Sequence, residues 1–200
     1  SSIPAMVEHY RNSIDFSEND FPEEMNDLDL DSNESTINIQ NVESAEDHLR
    51  DVISRWPDGE PDSKYDQFVN MLRQLKENGN PLKVMVFAFF KATLNYLLRR
   101  LTSDGFGACI IHGDIDPKER DETIGRFKTG NNLEILLSSR VGSEGLDFQF
   151  CNTLFNYDLP WNPMEIEQRI GRLDRIGQKS PVIKIYYHCI VRCCFVADMS

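Results

Sequence analysis

Hydrophobic positions are spread unevenly along these 200 residues. From residue 12 to about 41, apolar side chains occur only in ones and twos among Asp, Glu, Asn and Ser. A stretch such as NDLDLDSNESTINIQN cannot bury enough surface to offset its ordering entropy. A mobile acidic linker is expected there, its charge serving solvation rather than a partner. Leu49, Val52, Ile53 and Trp56 fall at helical spacing and predict a short helix over 44–56, which WPDGEP then breaks. From residue 63 the pattern becomes regular. Tyr65, Phe68, Met71, Leu72 and Leu75 make one apolar helix face, and Ser63 with Asp66 is spaced like a capping box.

KVMVFAF (83–89) is a nearly continuous apolar run, as a buried parallel strand would be. A helix over 92–101 follows, with Leu94, Leu97, Leu98 and Leu101, and then the strand ACIIH (108–112). Asp116-Pro117 with Glu119 opens a helix running to Lys128, and Gly130 lies beyond its end. EILLSS (134–139), TLFNYD (153–158) and VIKIYYH (182–188) are three further strands, with a helix over 164–174. Strands alternating with helices of about ten residues specify an α/β layered domain with a parallel sheet. Crossovers should be right-handed, and functional loops should gather at the carboxyl ends of the strands. No internal repeat is visible, and VRCCFVADMS at the end predicts no element.

Composition adds little to the fold but changes the reading of charge. The 40% hydrophobic content suffices for a core, no apolar run is long enough for a membrane span, and residues 1–10 lack a signal peptide's basic start and apolar middle. The chain opens at Ser1 rather than Met, as expected of a fragment or a processed product. Its net charge of −12 belongs almost entirely to one region: residues 1–60 hold 16 acidic and 3 basic side chains, residues 61–200 hold 17 and 18. The objection to phosphate binding that a strongly acidic chain raises is thereby removed for the last 140 residues, without making them a basic binder. Cys109, Cys151, Cys189, Cys193 and Cys194 form no CxxC pair and have no His at zinc spacing, so they read as small apolar filler in a reducing compartment.

The sequence has no GxxxxGK[ST] phosphate loop, no Asp-Glu pair closing a hydrophobic strand, and no G-x-S-x-G, H-E-x-x-H or G-x-G-x-x-G. Two segments do carry chemistry. In Q-R-I-G-R-L-D-R-I-G-Q (168–178), Arg169, Arg172 and Arg175 recur at intervals of three, which on a helix puts Arg172 and Arg175 on one face, a fork suited to phosphate oxygens. Spacing alone equally allows solvated arginines paired with Glu165, Glu167 or Asp174. In S-S-R-V-G-S-E-G-L-D (138–147), hydroxyls and glycines leave a strand, which suits a phosphate group or, equally, an ordinary strand-to-helix turn. His112, Asp114, Asp116 and Glu119 read as a strand end and a capped helix rather than a metal cluster.

KVMVFAFF, IIHGDIDPKERDETIGRFK, ILLSSRVGSEGLDFQFCNTLFNYDLPWNP and EQRIGRLDRIGQ occur in the order and spacing of the C-terminal motor lobe of superfamily-two helicases. With DSK (62–64), WNP (161–163) and RIGQ (175–178) the chain resembles the Swi/Snf-type ATPases, nearer the bacterial HepA/RapA-like branch. The resemblance covers about 62–188 and implies a RecA-like three-layer α/β lobe with a mostly parallel sheet, between the acidic segment 1–61 and an atypical tail, 189–200. It further implies that Arg172 and Arg175 reach the γ-phosphate of ATP held, with Mg2+, by an N-terminal lobe, with Gln168 opening their motif. Gly145 and Asp147 match the motif that couples the nucleotide to the nucleic-acid track, Asp147 lying near ATP, and Gly142 and Glu144 match it without an assigned contact. Ser138, Ser139 and the loop after Phe89, with Phe90, match positions that touch the DNA backbone. The activity implied is ATP-driven translocation on double-stranded DNA in a bacterial cytoplasm, at the nucleoid. An RNA helicase lobe and a non-catalytic binding module are the alternatives.

Overall fold

The computed structural model describes residues 62–77, 82–130, 132–143, 145–160, 162–188 and 194–199. The expected acidic linker and the helix over 44–56 lie outside the described residues. Asp62 begins the described chain and caps helix α1 (Ser63–Glu77): its carboxylate accepts from the Tyr65 N–H at 3.1 Å and its carbonyl from the Asp66 N–H at 2.8 Å. The cap is therefore one residue earlier than the expected Ser63–Asp66 box, because a carboxylate just before the first turn satisfies an orphan donor and also complements the helix dipole. Tyr65, Phe68, Val69 and Leu72 of α1 are buried.

Strands and helices then alternate: β1 (Val84–Phe87), α2 (Lys91–Ser103), β2 (Ala108–Ile111), α3 (Pro117–Thr129), β3 (Ile135–Ser138), α4 (Arg140–Ser143), β4 (Thr153–Asn156), α5 (Pro163–Ile170), β5 (Ile183–His188) and β6 (Cys194–Met199). They form one six-stranded sheet, ordered β2-β3-β1-β4-β5-β6. Every neighbouring pair is parallel except β5 with β6. The α/β fold with a mostly parallel sheet is as the pattern predicts. β6 is not: it lies where no periodicity was visible, and its place follows from the open edge of β5, which offers unpaired backbone groups to an antiparallel partner.

Each central strand divides its residues between two cores. Val84, Val86, Ile135, Leu137 and Phe155 point to one face, against Phe68 and Leu72 of α1 and Leu94, Leu97 and Leu101 of α2. Met85, Phe87, Leu136 and Leu154 point to the other, against Phe127 of α3, Phe148 and Leu173. Burying each of these larger side chains stabilises the lobe by about 1.5–3 kcal/mol. The α3 end is tied to the sheet by Lys83, whose ammonium donates at 2.5–2.6 Å to the carbonyls of Phe127 and Gly130, which the helix terminus leaves unsatisfied, and to that of Leu133 just before β3.

The layering locates the site. The chain leaving β1 enters α2 on one face, while the chains leaving β3 and β4 pass over the opposite face. A crevice therefore opens at the carboxyl ends of β1, β3 and β4, the switch point at which open α/β sheets place their ligands.

Candidate functional site

Arg169 fills the crevice. It is 4% exposed. Its Nη1 donates to Asn156 Oδ1 at 2.9 Å and to the Asp158 carbonyl at 3.3 Å, both from the end of β4. Its guanidinium lies over the rings of Phe87 and Phe89, 4.9 and 5.4 Å from their centroids. Asp158 is buried beside it and paired with Lys64 at 2.8 Å. Burial alone would raise the Asp158 carboxyl; the Lys64 ammonium reverses this and helps hold it below its usual range.

Arg172 and Arg175 do not share a helix face. Helix α5 starts on the Asn162 cap, which accepts from the Met164 N–H at 3.0 Å, and ends at Ile170 with Gly171 as its cap. Tighter bonds follow, Arg172 N–H to the Arg169 carbonyl and Leu173 N–H to the Ile170 carbonyl, and they turn the chain so that Leu173 enters the core. The expectation of a helix to residue 174 fails here because Leu173 gains more from burial than from continuing the helix. Arg172 lines a small pocket with Arg140, Ser143, Glu165, Gln168 and Arg169, and among the described residues it makes no ion pair. Arg175 turns elsewhere: its Nη1 meets Asp147 Oδ1 at 2.8 Å, and its Nε donates to the Gly171 carbonyl at 3.1 Å. Glu165, Glu167 and Asp174, the acids that spacing offered as partners, take no part.

The glycine-bearing segment after β3 is joined to this turn. Gly145 has φ +72°, a left-handed conformation that sends the chain towards Asp147. The Phe148 N–H donates to the Arg172 carbonyl at 2.8 Å, and the Gln178 side chain donates to the carbonyls of Cys151 and Leu173 at 2.9 and 3.1 Å. Residues 145–151 and 171–178 are thus one cross-linked body.

The structure gives Gly142 a reason that the sequence could not: a Cβ there would lie 2.7 Å from His112 Cα and from the Ile111 carbonyl oxygen, so the turn after β3 closes directly on the end of β2. Ser138 and Ser139 are buried, at 0% and 1% exposure. The Ser138 hydroxyl donates to the Ser139 carbonyl at 2.7 Å, and the Ser139 hydroxyl accepts from the Gly142 N–H at 3.1 Å. Their hydroxyls thus shape the turn and are turned from solvent. Phe90 is half-buried at the start of α2, where no side chain caps the helix, and next to it Lys91 pairs with Asp114 at 2.6 Å. Asp116 caps α3 through the Lys118 N–H at 2.9 Å. Glu144 lies outside the described residues.

Residues 63–177 match the helicase conserved C-terminal domain family. The chain belongs to that family. It is 34% identical over 137 residues to the uncharacterized ATP-dependent helicase YqhH of Bacillus subtilis, covering 68% of this chain and 23% of that protein. It is 39% identical over 121 residues to the RNA polymerase-associated protein RapA of Vibrio campbellii (60% and 12%). Over 172 residues it is 31% identical to the ATP-dependent RNA helicase DBP2 of Candida glabrata (83% and 30%). The chain thus spans less than a third of each of these relatives. Among solved structures, the C-terminal part of the Fun30 ATPase domain superposes with a TM-score of 0.56 at 20% identity, over 70% of this chain and 47% of that one. The DEAD-box protein SrmB of E. coli does so at 0.51 and 26%, over 58% and 66%. These likenesses identify a RecA-like helicase C-terminal lobe with affinity to RapA.

Within the helicase lobe, Gln168 and Arg172 come together in the pocket, and Arg175 and Asp147 come together beside it. Phe90, Ser138 and Ser139 stand apart, at the ends of β1 and β3. Sequence reasoning assigned no site role to Arg140 or the buried Arg169, and offered Glu165 only as a surface partner for the arginines. The signal for Arg169 was present, as a third arginine at the same interval, but nothing in the interval says which of the three is buried.

Proposed function

We propose that this lobe is the C-terminal half of an ATP-dependent motor that moves along double-stranded DNA. The observation that carries the reading is the rigid turn that presents Arg172 and Arg175 while hydrogen-bonded to the segment bearing Gly145 and Asp147. ATP supplies the phosphoryl group, and with its Mg2+ it would be held chiefly by a second lobe carrying the phosphate loop. The donors here fit that division. They are guanidinium and amide groups suited to phosphate oxygens. Arg172 and Arg175 would neutralise charge that develops on the phosphate oxygens, and Gln168, Gly145 and Asp147 would orient the nucleotide edge. Phe90, half-buried at the end of β1, would meet the DNA backbone, while Ser138 and Ser139, buried and with the Ser139 N–H donating to the Ile111 carbonyl, would act from behind by shaping the turn after β3. Likeness to RapA, a protein named for its association with RNA polymerase, supports a motor that works where DNA is transcribed.

A second reading, an RNA helicase lobe, is favoured by the likeness to DBP2 across most of the chain. Triplex displacement and forked-duplex unwinding, run with ATP on the complete protein, separate the two. Displacement without unwinding is expected. Efficient unwinding, or stimulation by RNA but not by duplex DNA, would overturn the translocase in favour of the helicase. Absence of any turnover in the complete protein would indicate a binding module. The 200-residue chain alone is expected to hydrolyse no ATP, because one lobe supplies only the arginine side of the pocket.

A further inference from the structure

Of the two arginines assigned to the nucleotide, one is already engaged within its own lobe. Arg175 is held twice, by Asp147 Oδ1 at 2.8 Å and by the Gly171 carbonyl at 3.1 Å. Among the described residues Arg172 has no comparable ion partner. The Arg175–Asp147 pair is not buried: the side chains are 43% and 48% exposed, so water and competing anions have access to it. The main chain around it is fixed. The Phe148 N–H bonded to the Arg172 carbonyl and the Gln178 amide bonded to Cys151 and Leu173 hold the two backbones together whether or not the side chains are paired. The ion pair therefore contributes little to the architecture, and its breakage needs only rotation of the arginine side chain.

We propose that Asp147 is a positioning residue that restrains Arg175 in the resting lobe, so that a nucleotide phosphate gains this guanidinium only by displacing the Asp147 carboxylate. The inference rests on the reading that Arg175 serves the nucleotide, and it adds to the place of Asp147 at the nucleotide edge a role exercised through Arg175 before ATP arrives. Because Asp147 lies on the segment that follows β3, a rotation of its exposed side chain when nucleic acid binds at that segment would separate the carboxylate from Arg175 while the backbones stay joined, and would make release of the arginine depend on the track. The charge on Asp147 is the operative property. An exposed ion pair of this kind biases an equilibrium by about two- to five-fold, which sets the size of the effect.

The test uses the complete protein in four forms: unmodified, Asp147→Asn, Arg175→Ala and the double variant. Affinity for a fluorescent non-hydrolysable ATP analogue and ATP turnover are measured with and without duplex DNA. Asp147→Asn is expected to tighten analogue binding by about two- to five-fold in the absence of DNA and to raise DNA-independent turnover, so that stimulation by DNA shrinks. In the Arg175→Ala background, where no pair remains to be lost, the same substitution should change affinity by less than about 1.5-fold, below the range expected of a lost exposed pair. Asp147→Glu, which keeps the charge, should return affinity towards that of the unmodified protein. Weaker binding by Asp147→Asn, or an undiminished shift in the Arg175→Ala background, would overturn the proposal and leave Asp147 a direct nucleotide contact. Unchanged turnover in Arg175→Ala alone would instead refute the nucleotide role of Arg175 and this proposal with it.

Discussion

Arg169→Met should destabilise the lobe far more than a surface arginine substitution, although Arg169 belongs to the same run as Arg172 and Arg175. Methionine keeps most of the unbranched stem and removes the guanidinium. Two hydrogen bonds from a charged donor are lost, to Asn156 Oδ1 and to the Asp158 carbonyl, each worth about 1.5–3 kcal/mol. The contact over Phe87 and Phe89 adds about 1–2 kcal/mol at a desolvated site. Against this stands the cost of keeping a charge at 4% exposure, several kcal/mol, which the substitution relieves. The net expectation is a loss of about 2–4 kcal/mol, or on the order of 10 °C in Tm for a lobe of this size. Urea and thermal unfolding followed by circular dichroism measure it, with Arg99→Met on an exposed face of α2 as the reference. A double-mutant cycle with Asn156→Ala should show coupling of about 1–3 kcal/mol. An Arg169→Met protein within about 0.5 kcal/mol of the unmodified chain would refute the assignment of Arg169 as the buried anchor of α5.

Three other outcomes follow from the same geometry. In the complete protein, Arg172→Ala should lower kcat by about 10³ or more with little change in KM, and a raised KM with kcat intact would make Arg172 a ground-state binding group only. Gly142→Ala should cost about 1–3 kcal/mol in urea unfolding, because its Cβ would sit 2.7 Å from the backbone of His112 and Ile111, and an unchanged midpoint would show that this turn gives way freely. Burial pushes the Cys109 and Cys151 thiols up to about 11, above the unfolded value of about 8.5. Their stabilising contribution is therefore complete below the unfolded pKa and is lost as pH rises towards 11. Stability should fall by a few kcal/mol over that window, Cys151→Ala should flatten much of the slope, and a level profile in the unmodified chain would contradict the burial effect.

Where the sequence was legible, the determining interactions were local or repeated. The order of strands and helices, the Asp116-Pro117 start of α3 and the parallel sheet all follow from apolar spacing and capping residues, which act over a few positions. The helicase motifs were legible for a related reason: their residue types are confined to short segments of fixed spacing. Helix α5 was overextended because residues 171–174 keep a helical apolar spacing, while the burial of Leu173 against the second face of the sheet draws the chain into turns. β6 escaped notice because its position depends on an open strand edge rather than on its own pattern.

The division is sharpest among the three arginines. By itself the sequence determined that Arg169, Arg172 and Arg175 stand in one motif at equal intervals, and that a RecA-like α/β lobe surrounds them. Only the tertiary structure decided that Arg169 is interred between β1 and β4, that Arg172 lines an open pocket and that Arg175 is bound to Asp147. Three identical side chains at identical spacing have identical intrinsic preferences. Their partners, Asn156 for one and Asp147 for another, come from segments brought alongside by the sheet, so their separate roles exist only once the chain has folded.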